Sequence, residues 1–171
     1  IESSETRALA EIYEKGFMYR GIKPVNWCFD CKSALAEAEI EYADKDTFAI
    51  LVLFPILEKE VSNLKKLFEI SDLSINGGAV AWTTTPWTIP ANQALNVNPN
   101  AEYAIFKTQA NPHNIDWLIL ATNLRDKLRE KIPYIGEPIG KVSGEKLKNL
   151  KFSHPLKKLG GAYDREATCI D

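Results

Sequence analysis

Residues 76 to 108, NGGAVAWTTTPWTIPANQALNVNPNAEYAIFKT, decide how the chain is read. Asn76-Gly77-Gly78 is a strong turn signal, and the apolar run AVAWT after it has strand character. ALNVN and YAIFKT are two further strands, separated by a turn at NPNAE. Between the first two lie three consecutive threonines, two prolines and a second tryptophan. Pro86 disfavours the helical region for Thr85, so the spacing predicts a chain that leaves the strand extended, and Pro90 restrains Ile89 in the same way.

The pattern continues outward on both sides. TFAILVLFPI (47 to 56) is a near-continuous apolar run of strand length, which predicts a strand buried on both faces. EVSNLKKLFEI (60 to 70) has Val61, Leu64, Leu67 and Phe68 at helical spacing. NPHN (111 to 114) marks a turn before the strand IDWLILA. TNLRDKLREK (122 to 131) predicts a short helix capped by Thr122, and SGEKLKNL (143 to 150) a second. The tail from Lys157 onward has weak patterning.

The first 45 residues differ in character. SSETRALAEIYEKGF predicts a helix capped by Ser3 or Ser4 and ended near Gly16, with Ala8, Leu9, Ile12, Tyr13 and Phe17 on one face. YRGIKPVNW, with Gly21 and Pro24, reads as extended or turning. AEAEIEY (36 to 42) alternates strictly, with three glutamates opposite Ala36, Ala38, Ile40 and Tyr42, which predicts a half-buried strand. The expected fold class is mixed α/β and β-rich: a barrel-like core with peripheral helices, preceded by a helix and a small cysteine-bearing knob.

Composition narrows the function classes. The 171 residues are enough for one domain with a core of its own, and 45% hydrophobic with 26% charged residues is ordinary globular composition. No apolar run approaches the roughly 20 residues of a membrane span. The first residues carry neither an apolar targeting core nor a small-residue cleavage site, and the missing initiator methionine fits a piece of a longer protein. Twenty-one basic and 23 acidic side chains leave a net charge of −2, unlike a protein that coats duplex DNA. A single-stranded end held by stacking and hydrogen bonds remains compatible with that charge.

Two signals carry chemistry. Each threonine hydroxyl can donate one hydrogen bond and accept others, so a fixed cluster can hold an ester carbonyl or a ribose, or position a water. Trp82 and Trp87 would add apolar walls or stacking surface. The plainer alternative is that β-branched threonines suit a strand edge and the tryptophans fill the core. The second signal is Cys28-Phe29-Asp30-Cys31. Two thiolates at that spacing can share a metal ion, but tetrahedral zinc needs four ligands. The remaining candidates, Cys169, His113 and His154, form no closely spaced pair. Three cysteines in this arrangement favour a reducing compartment over a disulfide framework. No nucleophile elbow, phosphate loop or H-E-x-x-H motif is present. His113 and His154 therefore read as structural or solvated, and the glutamate row as a solvated face.

YRGIKPVNWCFDCKSALAEAEIEYADK (19 to 45) and AWTTTPWTIPANQALNVNP (81 to 99) resemble the inserted editing domain, connective polypeptide 1, of the isoleucyl-tRNA synthetases, and FSHPL (152 to 156) adds a weaker match. The related valyl and leucyl enzymes typically carry Thr-Thr-Arg-Pro, whereas Thr83-Thr84-Thr85-Pro86-Trp87-Thr88 follows the isoleucyl pattern. The resemblance implies a barrel-like editing core over 46–171, lacking its C-terminal segment, after a connecting helix and half of a zinc-ribbon-like knob over 1–45. It implies hydrolysis of valine attached to isoleucine tRNA, and of valyl-adenylate, with Thr83, Thr84, Thr85, Trp87, Thr88 and Asn92 lining the pocket.

It further implies zinc at an incomplete Cys28 and Cys31 site, and editing that needs no cofactor. ATP and magnesium would serve the parent enzyme alone. The implied partners are a tRNA(Ile) 3′ end carrying valine and the rest of the parent synthetase, in the cytoplasm, with neither membrane nor DNA involved. The family pattern continues into a Gly-Thr-Gly segment and a His- and Gly-rich stretch with an aspartate that reads the substrate's amino group. Neither these nor the His-Ile-Gly-His and Lys-Met-Ser-Lys-Ser signatures occur here. Amino-acid activation by this piece is therefore not expected, and a non-catalytic binding or structural module for an aminoacyl-tRNA 3′ end is the alternative to an editing hydrolase.

Overall fold

The computed structural model describes residues 1–171, which gather into two compact units, Ile1–Asp46 and Thr47–Asp171. The first contains helix α1 (Glu2–Glu14) and a hairpin of β1 (Asn26–Cys28) and β2 (Ser33–Leu35), with Cys28 opposite Ser33. Helix α1 begins without a side-chain cap, so neither Ser3 nor Ser4 fills that role. Glu2 and Glu5 instead place negative charge at its N-terminal dipole end. Gly16 closes it with φ of +76°, a conformation that glycine adopts at little cost. Leu9, Ile12, Tyr13 and Phe17 all remain exposed.

The strand expected over 36–42 is absent. Residues Glu37–Glu39 form a 3-10 turn, and the Glu39 carboxylate accepts the Ala36 N–H at 2.7 Å. Alternation predicts a strand only where a partner strand and a core exist, and this stretch has neither: every residue is exposed except the half-buried Ile40.

The second unit holds two sheets. One is formed by β3 (Ile50–Pro55), β4 (Gly77–Thr83), β6 (Glu102–Thr108), β7 (Trp117–Ala121) and β8 (Ile135–Ser143), in the order β3-β4-β7-β6-β8. The other is formed by β5 (Ala94–Asn96), β9 (Lys151–Ser153) and β10 (Glu166–Ile170), in the order β5-β10-β9. An Ile56–Phe152 bridge joins them. Helix α2 (Val61–Phe68) packs Leu64 and Phe68 into a core shared with Phe54, Ile105, Trp117, Ile119, Phe152, Ala167 and Cys169. A second cluster covers the opposite face through Ala104, Phe106, Leu118, Leu120, Ile132 and Ile135. The β-rich, barrel-like reading with few helices therefore holds.

Several local expectations change. The strands buried on both faces are β6 and β7, at the centre of the sheet. β3 is an edge strand: Phe54 is buried, but Ile50 is exposed and the rest are half-buried. Gly77 and Gly78 are not a turn but the start of β4, where they permit close approach. A Cβ on Gly78 would lie 2.0 Å from the Phe54 carbonyl oxygen, and one on Gly77 2.3 Å from the Trp117 ring. Thr122 opens a 3-10 turn, Thr122–Leu124, ahead of the short helix α3 (Arg125–Arg129). Its hydroxyl does not cap α3 but donates to the Glu102 carbonyl at 3.3 Å. Residues Gly144–Leu147 form a 3-10 turn, not a helix proper.

Candidate functional site

β4 ends at Thr83, where the threonine loop begins. Thr85 is still non-helical, with φ −121° and ψ 67°, as a residue before proline should be. From Pro86 the chain does not stay extended. It winds into a 3-10 segment, Pro86–Ala91, with Pro90 inside it. Pro86 begins this segment with its φ already set, and the i to i+3 bonding of a 3-10 turn tolerates prolines that a longer α-helix would reject.

The loop gathers three hydroxyls. Thr83 Oγ1 accepts the Thr85 backbone N–H at 3.0 Å and lies 3.1 Å from Thr85 Oγ1. Thr85 Oγ1 lies 3.5 Å from Thr88 Oγ1, and Thr88 Oγ1 donates to the Thr85 carbonyl at 2.7 Å. Thr88 thus spends its proton on a carbonyl, and the Thr83–Thr85 contact uses one proton from the pair. The 3.5 Å Thr85–Thr88 approach is too long to consume another, so one hydroxyl proton remains to point outward, beside several free lone pairs. Such a cluster can donate to a carbonyl oxygen while accepting from a ribose hydroxyl or a water.

Thr83 and Thr84 are half-buried, whereas Thr85 and Thr88 are exposed. Both indoles stand at the surface, with Trp82 at 59% and Trp87 at 71% exposure, so the tryptophans do not fill the core. An exposed tryptophan beside free hydroxyls offers a face on which a base or apolar group can stack.

Asn92 closes the loop. Its N–H donates to the Ile89 carbonyl at 3.0 Å and its Nδ2 to the Ala94 carbonyl at 3.0 Å. Its Oδ1 is buried with no partner. Two residues that the sequence did not single out as functional hold this end of the loop. His154, buried at 1% exposure, contacts the Ile89 carbonyl through Nε2 at 2.9 Å. Arg165 donates through Nε to the Asn92 carbonyl at 2.9 Å and through Nη2 to the Pro90 carbonyl. His154 is thus structural, as its sequence context indicated. Nothing in the sequence near Arg165 marked it, because its loop partners lie 73 and 75 residues away.

A cavity of about 590 Å³ lies elsewhere. β4 and β7 pair in parallel only from Gly77 to Ala79 against Trp117 to Ile119, and then diverge. The fork is lined by Ala81, Trp82, Leu95, Leu120, Leu124 and Leu128 among others, and by none of the four threonines. It is apolar, and offers no constellation for ester chemistry.

Cys28 and Cys31 come together at the tip of the β1–β2 hairpin. The Cys31 N–H reaches Cys28 Sγ at 3.3 Å, and this bond is the main cause holding the Cys28 thiol below its usual range. The pair suits two positions of a tetrahedral zinc site. No cluster of three or more His, Cys, Asp or Glu side chains is assembled to complete one. His154 is committed as above. His113 sits in a turn near the Tyr134 ring, and Cys169 is buried in the core of the second unit.

The sequence pattern of the family tRNA synthetases class I (I, L, M and V) matches residues 1–142, and the chain belongs to that family. Within it the chain is similar to the isoleucine–tRNA ligases. It is 47% identical to that of Cupriavidus pinatubonensis over 167 residues, and 48% identical to that of Janthinobacterium sp. (strain Marseille) over 167 residues. The ligase of Bordetella avium is 46% identical over 164 residues. These alignments cover 96% or 97% of this chain but only 17% of each relative. The fold is similar to that of the crystal structure of GlLeuRS-CP1, with a TM-score of 0.51 and 16% identity over 72% of this chain and 47% of that one. No helix here is long and apolar enough to cross a membrane.

Proposed function

We propose that this chain is part of the editing module of an isoleucine–tRNA ligase, in which the threonine loop holds the ester of a mischarged tRNA while water hydrolyses it. The observation that carries this reading is the fixed Thr83–Thr85–Thr88 hydroxyl cluster at the end of β4, flanked by an exposed indole. The similarity to isoleucine–tRNA ligases and the fold shared with GlLeuRS-CP1 support it.

The proposed substrate is valyl-tRNA(Ile), with valyl-adenylate as a second. A synthetic pocket sized for isoleucine cannot reject a side chain one methylene smaller by exclusion, and the isoleucine–valine pair is the familiar case of this limit. A second, hydrolytic site corrects the error. In that site the free threonine proton would donate to the ester carbonyl, the lone pairs would accept from the terminal ribose, and Trp87 would cover an apolar face. His154 is not the base that activates water: Nδ1 accepts the Leu156 N–H at 3.2 Å, Nε2 is used by Ile89, and the ring is buried. The loop itself carries no carboxylate or imidazole, so a substrate ribose hydroxyl is the proposed proton relay.

That same scarcity of titratable groups favours one other reading, a module that binds the aminoacyl end without turnover. Deacylation of valyl-tRNA(Ile) and isoleucyl-tRNA(Ile) separates the two. Release of valine in preference to isoleucine, lost in a Thr85→Ala, Trp87→Ala double variant, supports editing. Binding without release supports the other reading, and neither binding nor release by folded protein rejects both. Zinc at Cys28 and Cys31, with its remaining ligands supplied by the parent protein, is part of the same proposal; no hydrolytic step depends on it.

A further inference from the structure

We propose that Arg165 and His154 are positioning residues for the threonine-loop site, which they serve by holding the backbone from Ile89 to Asn92 and so presetting the Asn92 side chain as an acceptor. The inference rests on the reading of the loop as an aminoacyl-adenosine site, and concerns residues outside the loop itself.

The second half of the loop has no strand to hold it. In this 3-10 segment with Pro90 inside, the carbonyls of Pro90 and Asn92 are taken by Arg165, and that of Ile89, which already accepts the Asn92 N–H, is also contacted by His154. The tautomer of His154 follows from its neighbours. Nδ1 accepts the Leu156 N–H, so Nε2 bears the proton and donates to Ile89. The 3.4 Å approach of Arg165 Nη2 to that same Nε2 is then donor against donor, a packing contact and not a bond. The imidazole is stacked on Tyr163, with 5.6 Å between centroids and 19° between planes.

Arg165 uses Nε, Nη1 and Nη2 on the carbonyls of Asn92, Ala162 and Pro90. Only a planar fork spans three acceptors in this way, and a lysine ammonium cannot. Asn92 is held at its carbonyl by Arg165, at its N–H by the Ile89 carbonyl and at its Nδ2 by the Ala94 carbonyl. The last of these settles the amide orientation, since Nδ2 faces the Ala94 carbonyl. Oδ1 is left as a buried acceptor without a partner, which is unfavourable in the free protein and is relieved when a small shift of the loop uncovers it to a ligand donor. A ribose O–H or the ammonium of an aminoacyl group has the chemistry to do so.

The test uses a non-hydrolysable valyl-adenosine in which an amide replaces the ester, titrated into this chain, with the Asn92 side-chain amide followed by ¹⁵N–¹H NMR. Arg165→Met should weaken binding roughly tenfold, the scale of one lost hydrogen bond at a buried polar group. It should also shift the Asn92 amide signal while the Trp117 indole signal, bonded to the Ser74 carbonyl, stays in place. Arg165→Lys keeps the charge and one donor and should not restore binding. His154→Gln, which can still donate to Ile89, should bind better than His154→Ala.

Unchanged binding and an unchanged Asn92 signal in both arginine variants would overturn the proposal. If wild-type chain fails to bind the analogue, the aminoacyl-site reading falls, and the Asn92 signal alone still decides positioning: moved by Arg165→Met it stands, unmoved it is wrong. If Arg165→Met does not fold, Arg165→Lys decides in its place, by the same shift of the Asn92 signal or its absence.

Discussion

Thr85 is the hub of the site: its N–H, hydroxyl and carbonyl are all engaged, with Thr83 on one side and Thr88 on the other. Such arrangements are readable from sequence when the partners are two or three residues apart, because local hydrogen bonds and proline restraints act within the stretch itself. Arg165 shows the opposite case. Its contacts with the loop exist only after β10 has been laid against β5 and β9, so no local signal marks it. Cys169 illustrates a third kind of residue, whose chemistry is set by burial. Desolvation pushes its thiol up to about 11 from an ordinary 9.0. A raised folded-state value means that the native protein holds this proton more tightly than the unfolded chain does. The stabilisation is complete below pH 9 and is lost as pH rises through 11. Urea unfolding between pH 8 and 11 should show stability falling, with a shallower fall in Cys169→Ala.

At the scale of elements, what was legible depended on whether pattern and partner agreed. β6 and β7 alternate between two apolar clusters and have long neighbours on either side, so their sequence and their setting say the same thing. β8 was not legible because Gly136, Pro138 and Gly140 break its alternation, and its pairing with β6 shifts register near Phe106. Gly140 has a packing reason: a Cβ there would lie 2.6 Å from the Phe68 carbonyl oxygen at the end of α2. The short strand β10 lay in weakly patterned tail sequence and is specified by its pairing with β5 and β9. Gly78, at the start of β4, sets the spacing against β3. Gly78→Ala should destabilise the second unit by on the order of 3 kcal/mol, since backbone and not a flexible side chain must give way. Chemical denaturation measures this directly, and a loss under about 1 kcal/mol would show that the edge strand adapts.

At the scale of the whole chain, the two units differ in the means to stay folded. Every buried apolar side chain belongs to Thr47–Asp171, and Ile1–Asp46 has none. Burial of apolar surface is the main source of stability, so the first unit should open locally far more often than the second. Limited trypsin digestion should therefore cut first at Arg7, Lys15, Arg20, Lys32 or Lys45 and leave a resistant fragment beginning near Thr47. Early cleavage at Lys107 or Lys141, inside the main sheet, would contradict that distribution of stability. Membership of the class I tRNA synthetases fixes the context of both units, and the similarity to isoleucine–tRNA ligases gives the threonine loop its proposed substrate.

The central claim is that the threonine loop, and not the apolar fork between β4 and β7, receives the aminoacyl end. A crystal structure of the chain with the valyl-adenosine amide bound tests it most directly. The expected result has the analogue's carbonyl oxygen within hydrogen-bond reach of the Thr83 or Thr85 hydroxyl, with an adenosine hydroxyl or the valyl ammonium on Asn92 Oδ1. Analogue seated in the fork against Trp82, Leu124 and Leu128, with the threonine hydroxyls untouched, would contradict it.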